Sequence, residues 1–121
     1  MVEGIWVPFE DGIEFKIARW GNPAFSKCVE KLSKPHQRQF RLRGRKGDAW
    51  DKIVWRAAAE HVLLDWKNVD GDNGKPLKYS IEEGIKIFTD DEFAPIADFI
   101  VQVANEEAAF YSEQREDAVK N

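Results

Sequence analysis

Apolar and polar residues alternate strictly in two short runs near the N-terminus. The apolar positions are Ile5, Val7 and Phe9 in the first run and Ile13, Phe15 and Ile17 in the second. Alternation with a period of two predicts two half-buried β-strands. A two-residue Asp11-Gly12 turn would place charges opposite the apolar face, whereas a three-residue loop with Gly12 left-handed pairs Phe9 with Ile13 and keeps one face apolar. We therefore predict an antiparallel hairpin with the three-residue loop.

Helical periodicity replaces this alternation from residue 22 onwards. Asn22-Pro23 is typical of a helix start, with asparagine as the N-cap and proline at the first helical position. Apolar residues then recur at helical spacing as far as Leu32. A second helix is predicted from Asp48, which we expect to cap it, and its apolar residues fall on two sides. A helix with two apolar sides is usually central to a core.

A short strand and two more helices are predicted in the second half of the chain. The strand is expected near Trp66, and residues 70–74 have the composition of a turn. Ser80-Ile81-Glu82-Glu83 and Thr89-Asp90-Asp91-Glu92 both have the capping-box pattern that opens a helix. The last helix is expected to begin at Ala94-Pro95, because proline is tolerated in a first helical turn.

Together these elements predict an α+β fold. An N-terminal antiparallel β-hairpin, extended by a short third strand, would pack against about four α-helices. We expect residues 1–112 to form a single domain and residues 113–121 to form a polar, frayed tail. The length of 121 residues and the 43% hydrophobic content suit one domain with a substantial core.

The charge of the chain is unevenly distributed. Residues 27–56 contain ten Lys or Arg against three acids, a balance of +7, whereas residues 80–121 contain three bases against eleven acids, a balance of −8. Residues 34–47 are read as a basic mobile loop, and its arginines are candidate partner-binding residues: Arg38, Arg41, Arg43 and Arg45. Such a distribution suits head-to-tail self-association or a charged partner. Ordinary solvated faces would give the same pattern.

The candidate catalytic and metal-binding patterns in the sequence do not match complete motifs. The acidic turn at residues 70–74 does not fit a calcium loop in either register. Zinc ligands usually come in spaced pairs, which Cys28, His36 and His61 do not form. Cys28 and His61 form a nucleophilic pair on paper, but Cys28 falls on an apolar helix stripe where a buried, inert thiol is expected. We therefore expect no enzyme activity, no cofactor and no metal.

The sequence also argues against a membrane or secreted protein. No window approaches 18 consecutive apolar residues, and the N-terminus lacks the basic and apolar regions of a secretory signal. The single cysteine cannot form an intrachain disulfide, which fits a reducing cytosol.

The last predicted helix carries more apolar residues than a one-sided helix of a small domain needs. Its main stripe and the neighbouring aromatic residues are candidate partner-binding residues: Phe93, Ile96, Phe99, Ile100, Val103, Phe110 and Tyr111. Val101 and Ala104 add apolar surface beyond that stripe. Either this helix is central to the core or its excess apolar surface is an interface.

The order of these features is similar to that of a known family. Ile-Glu-Phe-Lys-Ile-Ala-Arg-Trp-Gly-Asn-Pro-Ala-Phe follows a short strand at 13–25, and Leu-Asp-Trp-Lys-Asn-Val follows a long helix at 64–69. Gly-Lys-Pro-Leu-Lys-Tyr-Ser lies at 74–80, and Phe-Ile-Val-Gln-Val-Ala-Asn-Glu-Glu ends the last helix at 99–107. In this order the chain resembles the tail assembly chaperones of long-tailed, siphovirus-like bacteriophages and prophages.

The resemblance implies a partner and a location. Proteins of that family bind the phage tape measure protein, a long and largely helical chain, and keep it soluble until tail tube subunits assemble around it. It therefore implies the tape measure protein as partner, with the tail tube protein or a second copy of this chain as further candidates. It also implies the bacterial host cytoplasm rather than the mature virion. In this interpretation the last helix would cover apolar stripes of the client, while the basic loop would engage client acids.

Two other functions compete with this one. A small nucleic-acid-binding regulator would use the basic residues 34–46 to neutralise phosphates, although the net charge of −4 disfavours such a partner. A structural connector of the virion would share several of the same turn, cap and core residues.

Overall fold

The computed structural model describes residues 4–106. These residues form the predicted α+β fold, with a three-stranded antiparallel sheet and five α-helices. The strands are β1 (Ile5–Pro8), β2 (Glu14–Ile17) and β3 (Leu63–Lys67). The helices are α1 (Pro23–Ser33), α2 (Gln37–Arg43), α3 (Asp48–His61), α4 (Ile81–Thr89) and α5 (Ala94–Asn105).

The predicted hairpin register is confirmed. Val7 pairs with Phe15, and the Phe9 amide donates a hydrogen bond of 2.7 Å to the Ile13 carbonyl. The three-residue loop between them is a 3₁₀ turn in which Gly12 has a φ of 79°. Glycine adopts that left-handed conformation without steric cost. The hairpin therefore turns its apolar face as one surface towards the helices.

The third strand near Trp66 is also confirmed. It pairs antiparallel with β2 and places Trp66 opposite Phe15, giving the strand order β1-β2-β3. The Trp66 indole Nε1 donates a hydrogen bond of 2.7 Å to the Leu77 carbonyl. This bond ties the segment after the strand back onto the sheet, since residues 70–76 reverse direction through an Asp70–Pro76 bridge.

Asn22 joins two helices. Its side chain caps α1 by accepting a hydrogen bond of 2.9 Å from the Phe25 amide. Its Nδ2 group donates to the carbonyl of His61, the last residue of α3, over 2.9 Å. One side chain thus both satisfies an unpaired amide of α1 and fixes the start of α1 against the end of α3.

The second predicted helix, α3, is central as its two apolar sides indicated. Ala57, Ala58 and Ala59 are all 0% exposed. The hydroxyl of Tyr79 donates to the Ala59 carbonyl. Gly84 of α4 packs so closely that a Cβ atom there would lie 3.0 Å from the Ala59 Cβ.

The prediction of a basic loop is wrong for residues 34–43. Residues 34–36 form a 3₁₀ turn that continues directly into α2. Phe40 is the buried residue of α2, and its ring meets the Trp50 ring edge-on at 5.5 Å. Leu42 on the same helix is 76% exposed. Only the turn after α2 is irregular, and its glycines at 44 and 47 have φ values of 86° and 90°.

Two predicted caps differ from the structure. Gly47 is the N-cap of α3, so Asp48 is its first helical residue. Thr89 does not open a helix; it ends α4, and its hydroxyl donates back to the Ile85 carbonyl. Ser80 caps α4 as predicted by accepting from the Glu83 amide. The predicted domain end at residue 112 and the tail at 113–121 lie outside the described residues.

Replacing Gly84 by alanine tests the close packing of α3 and α4. Alanine favours a helix by about 1 kcal/mol over glycine, but the added methyl group would clash with Ala59 and displace the Tyr79 hydroxyl. We expect Gly84→Ala to lower the free energy of unfolding by about 1–2 kcal/mol, because overpacking and a lost hydrogen bond outweigh propensity. Denaturant unfolding measures this. Glu82→Ala, exposed on the same helix, should change it by less than about 0.5 kcal/mol, and a stabilised Gly84→Ala protein would contradict the packing.

Limited trypsin digestion tests whether Phe40 holds α2 in place. Trypsin cleaves after the basic residues of segment 34–46. Phe40→Ala removes the ring that contacts Trp50, so cleavage within this segment should accelerate several-fold. Leu42→Ser removes an exposed side chain and should leave the cleavage rate unchanged. Equal cleavage rates for the Phe40→Ala and wild-type proteins, read by mass spectrometry, would show that Phe40 does not anchor α2.

Candidate partner-binding surfaces

The apolar stripe predicted to bind a partner on α5 faces the core. Ile100 is 0% and Val103 8% exposed, and both side chains belong to the buried core cluster. Phe93, Ile96 and Phe99 are half-buried against the same core. Phe110 and Tyr111 lie outside the described residues.

A groove lies along another side of α5, between that helix, the end of α4 and α3. It encloses about 370 Å³. Its apolar lining comes from three helices: Trp55, Phe88, Ala94, Ala97 and Val101. The Trp55 and Phe88 rings stack with centroids 5.3 Å apart and planes 10° from parallel. Trp55 and Val101 are half-buried and Ala94 is exposed, so these three side chains give the groove its accessible apolar wall. Phe88 and Ala97, 8% and 9% exposed, lie deeper and form its base.

Three carboxylates stand at the edge of this groove. Asp90, Asp91 and Asp98 are exposed and belong to its lining. Asp90 also accepts a hydrogen bond of 3.0 Å from the Glu92 amide, which caps the turn before α5. Within residues 4–106 the salt bridge present is Lys86–Glu83, so these carboxylates keep their negative charge available to a partner. The groove thus combines apolar contact with attraction for a basic group.

The basic surface is organised by α2. The side chains of Arg38, Arg41, Arg43 and Arg45 are all exposed. The Arg45 guanidinium lies 5.6 Å from the centroid of the Trp50 ring, a cation–π geometry. The helix α2 therefore presents Arg38, Arg41 and Arg43 at helical spacing, whereas Arg45 lies in the turn after it.

The structure also brings together residues that their sequence positions separate. Cys28 of α1 is half-buried, and its thiol lies 3.7 Å from the Glu60 carboxylate on α3. Burial raises the pKa of the Cys28 thiol, and the negative charge of Glu60 and the hydrogen bond to it raise the pKa further. The thiol is therefore held in its protonated form at neutral pH, which weakens it as a nucleophile. His61 lies beside this pair.

Sequence reasoning missed the groove because its wall is assembled from three helices. Trp55 and Phe88 belong to different helices, and the stacking of their rings depends on how α3 packs against α4. The one signal in the sequence was Val101, an apolar residue of α5 that lies outside its main apolar stripe. It marked a second apolar side of the helix without showing what faced it.

Comparison with known proteins identifies the origin of the chain. Residues 20–121 match the model of a family described as YdaY prophage protein. No curated protein and no solved structure matches the chain. The match covers well over half of the sequence and defines the chain as a prophage protein. The chain belongs to the YdaY prophage protein family.

This membership confirms the phage or prophage origin that the sequence resemblance implied. Among residues 4–106, no helix combines the length and apolar character needed to cross a membrane.

Proposed function

We propose that this prophage protein is a tail assembly chaperone that binds the tape measure protein and keeps it soluble during tail assembly. Membership of a prophage family and the resemblance in the order of strands, caps and helices support this role. The observation that carries it is the groove, whose apolar lining includes Trp55, Phe88 and Val101. The exposed carboxylates of Asp91 and Asp98 stand at its edge.

The groove suits one side of an amphipathic helix. Apolar side chains of the client would enter beside Trp55 and Phe88, where each buried side chain contributes about 1.5–3 kcal/mol. Basic residues flanking the client stripe would meet Asp91 and Asp98, which orients the helix and accelerates encounter more than it adds affinity. Removing apolar stripes from water would suppress client aggregation.

The size of the groove suits transient binding. A volume of about 370 Å³ holds a few side chains. A standard stable interface involves about 20–30 residues and 800 Å² on each partner, so the groove alone is smaller than such an interface. Weak sites used by many copies along a long client would protect it and still release it. Tail tube subunits could then displace the chaperone during assembly in the host cytoplasm.

Co-expression with the tape measure protein of the same prophage tests the proposal. The soluble fraction of the client should rise several-fold with this protein and fall back with Ala94→Asp, which places a charge on the apolar wall. Aspartate is favoured in a first helical turn, so α5 should still form. Ala24→Asp makes the same change near the start of α1, away from the groove, and should retain activity. A client equally insoluble with and without the protein would refute the chaperone role.

A charge-reversal pair tests the acidic edge separately. Asp91→Lys with Asp98→Lys should weaken client binding several-fold, because basic client residues would be repelled. Glu30→Lys with Asp72→Lys changes the net charge equally at exposed positions on α1 and in the turn after β3, and binding should persist. Equal losses in pull-down by the two double variants would mean that net charge, rather than this edge, governs binding.

A nucleic-acid-binding regulator is the second candidate, because four arginines on or beside α2 are exposed. Binding to a labelled DNA duplex that weakens steeply with salt, and that Arg41→Gln with Arg43→Gln abolishes, would support it. The chaperone proposal expects no salt-dependent binding even at low ionic strength. Mass spectrometry of purified phage particles addresses the third candidate, since a virion connector would be present and a chaperone absent.

A further inference from the structure

Three potential metal ligands converge at the edge of the contact between α1 and α3. Cys28 comes from α1, while Glu60 and His61 end α3. The thiol sulfur lies 3.7 Å from a Glu60 carboxylate oxygen. The ligand atoms of all three side chains lie within 4.8 Å of one another. This cluster is separate from the groove lining.

The ligand types suit zinc. Thiolate, imidazole and carboxylate all bind Zn²⁺ at bond lengths of about 2.0–2.3 Å, which places tetrahedral donor atoms about 3.3–3.6 Å apart. The sulfur–oxygen distance of 3.7 Å is already close to that spacing. Glu60 is exposed, so its carboxylate can rotate to close the remaining gap. Cys28 and His61 are half-buried, which leaves the fourth position open to water.

The backbone beneath these ligands is already fixed. Asn22 caps α1 and donates to the His61 carbonyl over 2.9 Å, so the positions of the two helices do not depend on a metal. Within residues 4–106 the His61 imidazole forms no hydrogen bond, which leaves a ring nitrogen available as a ligand. Binding would therefore require side-chain rotation and loss of the Cys28 proton to solvent, without movement of a helix.

The local charge also permits binding. A thiolate, a carboxylate and Zn²⁺ sum to zero, so the occupied site would be neutral. Lys31 and Arg56 act electrostatically on Cys28, and a neutral complex avoids repulsion with these two cations. Zinc would replace the proton that the Cys28 thiol donates to the Glu60 carboxylate.

We propose that Cys28, Glu60 and His61 bind one zinc ion, with water as the fourth ligand. The ion would connect the middle of α1 to the end of α3 and thereby stabilise the helical layer. The proposal is independent of the chaperone role, because no ligand belongs to the groove.

Titration of the untagged full chain with Co²⁺ tests the site directly. We expect one Co²⁺ per chain, with the near-ultraviolet charge-transfer band of a cobalt–thiolate bond and the intense visible bands of tetrahedral Co²⁺, both lost on adding Zn²⁺. Because a ligand that binds only the folded state stabilises it, saturating Zn²⁺ should raise the Tm by about 5–10 °C.

Matched variants identify the ligands. Cys28→Ser should abolish the thiolate band, and His61→Gln and Glu60→Gln should each weaken binding at least about tenfold. His36→Gln replaces the only other histidine of the chain and should bind like the wild type. The Tm without metal, measured for every variant, separates a lost ligand from a lost fold. Absence of the thiolate band at excess Co²⁺, or binding that His61→Gln leaves unchanged in a folded protein, would overturn the proposal.

Discussion

Three consecutive alanines of α3, Ala57, Ala58 and Ala59, have no exposed surface. Successive residues of a helix point about 100° apart, so burial of all three requires neighbours on three sides. The helix α3 contacts the helix α1, the helix α4 and the strand β3. Small side chains let the backbones approach closely, and Gly84 completes this approach on the side of α4. The close approach of these backbones therefore sets the packing of the elements around α3.

This use of α3 places every candidate binding feature at its edges or its ends. Trp55 is half-buried at the side of the helix, where its ring stacks on Phe88 and lines the groove. Trp50, near the start of the helix, supports α2 and its arginines. Glu60 and His61 meet Cys28 at the opposite end. A single buried helix therefore positions the groove, the basic surface and the thiol cluster, which explains how so small a domain can present three distinct surfaces.

The features that the sequence predicted well are those determined by neighbouring residues. The hairpin register follows from alternation and the Gly12 turn, and α1 follows from its Asn22 cap. The helix α2 was missed because its basic composition and the two glycines after it resemble a loop. The contact between Phe40 and Trp50 that anchors it joins two different helices. On α5 the periodicity identified an apolar stripe correctly, but periodicity cannot distinguish a core stripe from an interface. The groove and the thiol cluster each combine residues from different helices, so no spacing within one segment reveals them.

The balance between the two charged surfaces bears on which function the domain can perform. Arginines on a helix attract acidic partners, but exposed ion pairs contribute little affinity and are screened by salt. Keeping an apolar client in solution requires that its apolar surface be covered, and only apolar contact achieves this. The groove offers such apolar contact. On the arginine surface, Leu42 is the large apolar side chain that is exposed. The net charge of −4 also opposes binding of a phosphate backbone. The described surfaces thus suit the proposed helical client better than a nucleic acid, and in that proposal the arginines would orient the client rather than hold it.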